Sequence, residues 1–308
     1  MGESVRWWRI LPVCLLPILF ILFIVSCGSN GTNWNGDQIT VIAENVDTSP
    51  PAETIKLVFI HHSCGRNWLV DNNGELGKRL NENNYYVTEC YYGWDDHPSE
   101  AHYDVMGDHT NTEDWPYWFN DVVMPSVYAN EEHPNYENRI PNPGGENTII
   151  MFKSCYNNSY VGDSIEDEKE IYNSLLAYFS QHPDKLFILI TPPPMIHIQN
   201  NELTRELCNW LVSPNGWLKD YELKNVAVFD FYNILTDPNN HHHVEDGRIV
   251  HIVSANPVDP EHPNELYYYS GSDNHPTKEG NLKATEEFIP FLNAVYNIWK
   301  SGEMHDRE

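Results

Sequence analysis

Short apolar runs alternate along the chain with segments that have helical spacing. The runs are rich in β-branched and aromatic residues and are bounded by turn formers, a pattern typical of buried parallel strands. They cover residues 55–60, 85–92, 148–152, 186–190 and 226–231. The helical segments cover residues 74–83, 115–128, 164–180, 202–211 and 278–299. This alternation predicts an α/β fold, a three-layer α/β/α sandwich with a five-stranded parallel sheet, whose functional site lies at the carboxyl ends of the strands.

The first 26 residues have a different pattern. Arg6 and Arg9 precede an apolar run over residues 10–25, which two prolines interrupt and which is short for a membrane-spanning helix. A basic segment, an apolar segment and a small residue, in this order, are typical of a signal peptide. The small residue before Cys27 matches the bacterial lipobox, in which cleavage frees that cysteine for lipidation. We expect export and a lipid anchor on Cys27 at the bacterial cell envelope; an uncleaved anchor helix is the alternative.

The chain after the signal peptide divides by composition. Residues 27–54 are rich in Gly, Asn, Ser, Thr, Asp and Pro and have no apolar period, which predicts a flexible tether. Residues 55–300 have the size of one domain. Residues 301–308 form a polar C-terminal tail.

Charge and cysteine content narrow the classes of partner. The chain has 18 Lys and Arg against 45 Asp and Glu, a formal net charge of −27 at pH 7. Such a charge repels nucleic acid and anionic membrane surfaces, so we expect no nucleic-acid partner and membrane attachment only through the lipid. Export permits disulfides, but the spacing of Cys64, Cys90, Cys155 and Cys208 does not indicate which of them pair.

The first predicted strand runs directly into His61-His62-Ser63-Cys64-Gly65. A serine at the end of a buried strand exposes its hydroxyl at the sheet edge, where backbone N–H groups point at the same spot. Ser63 is therefore a candidate nucleophile, and a simple helix cap is the alternative. Cys64 is the competing nucleophile, because a thiolate is intrinsically more reactive.

A second candidate group lies just before the last predicted helix. Asp273 precedes His275 by two positions, so in an extended loop both side chains face the same side and the carboxylate accepts the Nδ1–H of the histidine. The other ring nitrogen is then left to take a proton from a serine. An ordinary polar loop is the alternative. Asn157 and Asn158 follow the third strand and supply amides at the same edge of the sheet.

These residues together resemble the SGNH (GDSL-like) hydrolase superfamily over essentially the whole of residues 55–299, in a divergent secreted lipoprotein branch. Residues 58–65 look like the first block of that family, with His61-His62 in place of the usual Gly-Asp. The last block is similar to Asp-x-x-His-Pro, but Asp273 lies one position closer to the histidine and Ser272 fills the usual acid position. A carboxylate from upstream, at Asp259 or Glu261, is the alternative acid.

The resemblance also implies where the oxyanion is bound. Gly93 lies where the family has its second-block glycine, and residues 153–159 occupy the position of its third block, Gly-x-Asn-Asp. The donors it implies are the N–H groups of Ser63 and Gly93 and the amide of Asn158, with Asn157 as the other choice. The implied fold is the flavodoxin-like SGNH hydrolase fold.

The function implied by the resemblance is a serine esterase that forms an acyl-enzyme on Ser63, with His275 as base and Asp273 as acid, and without a cofactor. Aromatic residues suited to stacking on sugar rings follow the second strand, which favours O-acetyl esters of carbohydrate as substrate. They are Tyr91, Tyr92 and Trp94, with Trp115, Tyr117 and Trp118 further along. A non-catalytic glycan-binding lipoprotein on the same fold and an esterase for lipid acyl chains are the alternatives.

The sequence His241-His242-His243 is the one cluster of histidines that suggests a transition metal. No cysteine at ligand spacing and no carboxylate motif accompanies it. We therefore predict a solvated loop at these three residues and no metal site.

Overall fold

The described part of the chain follows the predicted alternation of strands and helices. The structure is a computed structural model, and it describes residues 31–32, 36–92, 106–107, 111–153, 164–196, 201–259, 267–270 and 273–305. Its strands are β1 (Gly31–Thr32), β2 (Gln38–Glu44), β3 (Ile55–His61), β4 (Tyr85–Tyr91), β5 (Ile149–Lys153), β6 (Leu186–Ile190), β7 (Val226–Phe229), β8 (His241–Glu245) and β9 (Arg248–Val253). Its α-helices are α1 (Cys64–Leu69), α2 (Leu76–Glu82), α3 (Trp115–Trp118), α4 (Met124–Tyr128), α5 (Glu166–Gln181), α6 (Asn201–Val212), α7 (Phe231–Thr236) and α8 (Lys278–His305).

Five parallel strands form the central sheet in the order β4-β3-β5-β6-β7. The prediction of a five-stranded parallel sheet in an α/β/α sandwich is confirmed. The strand order reverses at β3, which pairs with β4 on one side and with β5 on the other. Sheets of this kind bind ligands in the crevice beyond the carboxyl ends of the strands at such a reversal. Ser63 lies two residues after the end of β3, at this point.

Side chains alternate between the two faces of the sheet, as the pleat of a strand requires. Leu57 and Phe59 of β3 belong to a core that α1, α2, α7 and α8 cover. Val58 and Ile60 belong to a second core on the opposite face, which α3, α4, α5 and α6 cover. Because both faces are buried, the central strands are continuous apolar runs, and this is why the sequence located them well.

A second sheet was not predicted. It is antiparallel, with the order β1-β2-β9-β8. β2 lies inside the predicted tether, so the prediction of a flexible segment over residues 27–54 is wrong for residues 38–44. These residues pair with β9 from Gln38 opposite Val253 to Glu44 opposite Arg248. The partner strand is far downstream, and the composition of residues 27–54 carries no sign of it.

The histidine run also differs from its prediction. His241 to His243 are the first residues of β8, which pairs with β9, and the side chain of His242 is buried. The predicted solvated loop is therefore wrong. A strand with three imidazoles has no apolar alternation, so periodicity gave no signal for it.

Three element boundaries differ from the sequence predictions for local reasons. The predicted helix over residues 115–128 is two short helices, α3 and α4, each of which begins with a proline in its first turn. β7 ends at Phe229 instead of residue 231, because Asp230 caps α7 by accepting a hydrogen bond from the backbone of Asn233. α8 continues to His305, into the predicted polar tail.

The predicted signal peptide over residues 1–26 and the lipidation site Cys27 lie outside the described residues and stay predictions. Within the described ranges, no helix combines the length and the apolar character that crossing a membrane requires. Cys155 is also outside these ranges. Cys64, Cys90 and Cys208 are buried, and no disulfide joins any two of these three.

A buried polar cluster joins the two sheets. The backbone N–H of Asp230, at the end of β7, donates to Nδ1 of His242 on β8 at 2.9 Å. Nε2 of His251 on β9 hydrogen-bonds to the Asp230 carboxylate. Burial raises the pKa of Asp230, but the adjacent His251 outweighs it and lowers that pKa to about 2. The cluster is closed to solvent, so it connects the sheets and is not a second catalytic pair.

The buried imidazole of His242 should make the protein sensitive to acid. Burial lowers the pKa of His242 from 6.5 to about 3, so below pH 6.5 the unfolded chain takes up a proton that the folded chain does not. This contribution to stability is therefore complete above pH 6.5 and is lost as the pH falls towards 3. It should contribute about 1.4 kcal/mol per pH unit to the acid slope of the free energy of unfolding.

His242→Asn tests this expectation, because asparagine does not titrate and keeps an acceptor near the Asp230 N–H. Urea unfolding of both proteins between pH 7 and pH 4 should show a flatter slope for the variant, even if the variant is less stable at pH 7. Parallel curves over this range would show that His242 titrates normally in the folded protein.

Candidate active site

Ser63 occupies the turn between β3 and α1, at the amino-terminal cap of the helix. Its backbone has φ 34° and ψ −86°, which is the positive-φ region that a residue with a Cβ adopts at a cost. Its side chain makes no capping hydrogen bond. Capping was the alternative explanation of this serine, and the geometry does not support it. The turn instead directs the hydroxyl towards the loop that precedes α8.

The hydroxyl of Ser63 is hydrogen-bonded to Nε2 of His275. Nδ1 of His275 lies 2.6 Å from Oδ1 of Asp273. With the Nδ1–H donated to the carboxylate, Nε2 carries the lone pair that faces the serine proton. The hydrogen bond from His275 lowers the pKa of Asp273, which keeps this carboxyl ionised. The structure thus brings together the three residues that the sequence singled out as nucleophile, base and acid.

Exposure differs along this chain of hydrogen bonds. The side chain of His275 is 25% exposed, whereas that of Asp273 is 61% exposed. Water therefore screens the interaction between the carboxylate and the ring. In this geometry, Asp273 acts mainly by orienting the imidazole of His275.

The loop that carries His275 is held by contacts on both sides. The side-chain oxygen of Asn274 accepts a hydrogen bond from the backbone of Ile196 at 3.1 Å. Pro276 forms an isolated bridge with Tyr269, and the backbone N–H of Thr277 donates to the carbonyl of Tyr268 at 2.6 Å. These contacts restrain the loop that carries the imidazole, and general-base catalysis requires a base held in place.

Cys64, the competing nucleophile, has no exposed surface. Its thiol lies 3.9 Å from the backbone oxygen of Asn274, to which it donates. The imidazole of His275 is hydrogen-bonded to the neighbouring hydroxyl of Ser63. The geometry favours Ser63 as the nucleophile.

A histidine, His61, lies directly beneath this turn. The ring of His61 is fully buried, and Nε2 lies 3.1 Å from a carboxylate oxygen of Glu89 on β4. A Cβ on Gly65 would lie 2.5 Å from the Cβ of His61, so glycine is needed for this close approach. His61 therefore supports the turn that carries Ser63.

Glu89 is satisfied by several donors besides His61. Its carboxylate accepts from the backbone N–H groups of Asn135 and Tyr136, at 3.0 and 3.1 Å, and from the side chain of Asn135 at 2.7 Å. Burial raises the pKa of Glu89, but the hydrogen bonds from His61 and Asn135 outweigh it and lower that pKa. Burial lowers the pKa of His61 itself. The site is thus backed by an ionised carboxylate and a neutral imidazole.

A second buried charge lies at the end of β5. The ammonium group of Lys153 is inaccessible and has no hydrogen-bond partner among the described residues. Its charge also lowers the pKa of His61. Neither Glu89 nor Lys153 was predicted from the sequence as a residue that supports the site. The sequence feature that could have identified them is a charged residue inside an apolar strand, because a buried charge requires a compensating partner.

Part of the predicted oxyanion site cannot be placed. Gly93, Asn157 and Asn158 lie outside the described residues, so Ser63 is the one predicted donor whose backbone the structure describes. Of the proposed sugar-stacking residues, Trp94 is also outside. Three of the others are buried in the core and are not available for stacking on a sugar, contrary to the prediction: Tyr92, Trp115 and Trp118. Tyr91 is half-buried at the end of β4, and Tyr117 is exposed.

No protein-family model matches this chain, and no curated protein matches it in sequence. The resemblance to the SGNH hydrolases therefore stays a hypothesis based on the motifs. The geometry of Ser63, His275 and Asp273 is independent of that resemblance.

The strained turn at Ser63 yields a stability prediction. A positive φ costs a residue with a Cβ about 1–3 kcal/mol, whereas glycine loses only about 0.5–1 kcal/mol of flexibility on folding. Ser63→Gly should therefore be about 1 kcal/mol more stable than Ser63→Ala, although both lack the nucleophile. Urea unfolding measures the difference.

Ser174, inside α5, provides the matched control, because its backbone is helical. Ser174→Gly should be less stable than Ser174→Ala by about 1 kcal/mol. The same order at position 63 would mean that the turn carries no strain.

Proposed function

We propose that this protein is a serine hydrolase that cleaves carboxylic esters through an acyl-enzyme. One observation carries the proposal: the hydrogen-bonded chain from the Ser63 hydroxyl through His275 to Asp273, at the point where the strand order of a parallel sheet reverses. Nucleophile, base and orienting acid in hydrogen-bond reach are the arrangement that activates a serine.

In the proposed mechanism, Nε2 of His275 removes the proton of Ser63 as the serine oxygen attacks the ester carbonyl carbon. The carbonyl oxygen becomes an oxyanion. The donors that the family resemblance implies for it are the backbone N–H groups of Ser63 and Gly93 and the side chain of Asn158 or Asn157. The intermediate collapses, and the alcohol leaves with the proton from His275. Water, activated by the same imidazole, then hydrolyses the acyl-Ser63 ester and releases the carboxylic acid.

An O-acylated neutral carbohydrate is the substrate class we favour. Tyr91 offers a partly exposed aromatic side chain at the end of β4, beside the β3 turn that carries Ser63. The net charge of −27 disfavours anionic polymers. A lipid on Cys27 would hold such an esterase at the cell envelope. A glycan-binding protein without activity has no need of a serine hydrogen-bonded to a histidine, so we place that alternative second.

Hydrolysis of p-nitrophenyl acetate tests the proposed activity. Ser63→Ala and His275→Ala should each abolish the release of p-nitrophenol above background. If the Ser63→Ala variant keeps the wild-type rate, the proposed function is wrong.

Asp273→Asn tests the acid. The asparagine would favour the wrong tautomer of His275, so kcat should fall, by about 10²–10³-fold. This loss is smaller than the roughly 10⁴-fold loss known for a buried acid, because Asp273 is largely exposed. Asp220→Asn, at an exposed aspartate on the surface, is the matched control and should not change kcat.

Ser272→Ala should also have little effect, because a neutral hydroxyl cannot stabilise an imidazolium. If Asp273→Asn keeps full activity while His275→Ala has none, the acid has been assigned wrongly and the serine–histidine pair stands.

A further inference from the structure

The side chains of His241 and His243 project from the same side of β8, since alternate residues of a strand share a face. Glu287 of α8 lies opposite them. One potential ligand atom from each of the three residues lies within 4.8 Å of the other two. The proposed mechanism does not use this group.

We propose that His241, His243 and Glu287 form a binding site for a divalent transition-metal ion, with Zn²⁺ as the best chemical match. Two imidazole nitrogens and one carboxylate oxygen are a ligand set that Zn²⁺ uses, with water at the fourth position. Ca²⁺ and Mg²⁺ prefer sets made of oxygen ligands alone, so two imidazoles argue against them.

The distances suit a metal after a small movement of the side chains. Tetrahedral ligands at about 2.0–2.1 Å from zinc lie roughly 3.4 Å from each other. Nδ1 of His241 is 2.7 Å from Oε1 of Glu287, a distance at which one proton lies between the two atoms in a hydrogen bond. A metal ion replaces that proton and moves the two ligands slightly apart, while the imidazole of His243 moves closer.

An ion pair between His241 and Glu287 does not explain the position of Nδ1 of His243. This nitrogen is inaccessible to solvent and has no hydrogen-bond partner within the described ranges. A buried ring nitrogen without a partner costs free energy, and coordination to a metal would satisfy it. A simple pair between His241 and Glu287 leaves this nitrogen unsatisfied.

Glu287 is held in a suitable orientation from behind. Its second oxygen, Oε2, accepts a hydrogen bond from the backbone N–H of His242 at 2.8 Å. Outer contacts of this kind orient a ligand and strengthen the binding of a metal. Oε1 therefore faces the two imidazoles.

Lys283 is the competing cation at this position. Its ammonium lies 3.6 Å from Oε1 of Glu287, one turn earlier on α8. The ammonium also donates to the backbone carbonyl of Asn240, which holds it beside the site. We expect Lys283 to weaken the binding of a metal by repulsion without occupying the position between the imidazoles.

A bound ion would connect the edge of the second sheet to α8. β8 supplies two ligands and α8 the third, so binding should stabilise the folded chain. The proposed ester hydrolysis does not depend on this site, and the two proposals stand or fall separately.

Titration with Co²⁺ tests the site, with full-length protein that carries no polyhistidine tag and has been treated with a chelator. The visible d–d absorption of tetrahedral Co²⁺ should rise to saturation at one ion per chain, and Zn²⁺ should abolish it by displacing Co²⁺. His243→Ala and Glu287→Gln should each weaken Co²⁺ binding by about 100-fold or more, because they remove a direct ligand. His182→Ala, at a half-buried histidine that ends α5 and does not belong to this group, is the matched control and should bind as the wild type does.

Lys283→Met provides a gain-of-function arm that does not rely on loss of binding. Removal of the competing ammonium should increase the affinity for Co²⁺ by about tenfold. Zn²⁺ should also raise the Tm of the wild type and of Lys283→Met but not that of His243→Ala. Absence of tetrahedral absorption in the wild type, or equal binding by His243→Ala and His182→Ala, would overturn the proposal.

Discussion

The packing of Trp68 against α8 is the contact on which the candidate active site depends. Trp68 belongs to α1, the helix that begins directly after Ser63, and its indole N–H donates to the hydroxyl of Thr285 on α8 at 2.8 Å. The ring also lies 5.3 Å from that of Phe288 in an edge contact. α8 is the helix that follows His275. One buried tryptophan therefore sets the distance between the two chain segments that supply the nucleophile and the base.

The backbone conformation of Ser63 is unfavourable, and packing of the surrounding core compensates for its cost. Its positive φ is maintained by burial of Cys64 on one side and by the close approach of Gly65 to His61 on the other. Glu89 and Lys153 place two opposite charges in the core, on β4 and β5, the two strands that flank β3. Buried charges of this kind are a cost to stability.

Much of the central sheet could be predicted because buried parallel strands are continuous apolar runs. For β6, both predicted ends agree with the structure. The second sheet could not. Its strands mix polar and apolar residues, and β2 pairs with a strand at the other end of the domain. Local sequence carries little information about such distant pairing.

The three residues of the candidate triad could be found in the sequence because each follows a strand or precedes a helix, where parallel folds place their sites. The support from Glu89 could not be found in this way. It depends on the register of β3 and β4, in which Phe59 lies opposite Glu89 and His61 opposite Tyr91. A sequence pattern gives the face of a side chain but not its neighbour on the adjacent strand.

The central claim is that the hydroxyl of Ser63, activated by His275, is a nucleophile. The most direct test is reaction of the wild type with a fluorophosphonate, followed by peptide mapping of the adduct by mass spectrometry. The account predicts one adduct per chain, on Ser63, with Cys64 unmodified, and much slower labelling of His275→Ala. An adduct on Cys64, or labelling of His275→Ala at the wild-type rate, would contradict it.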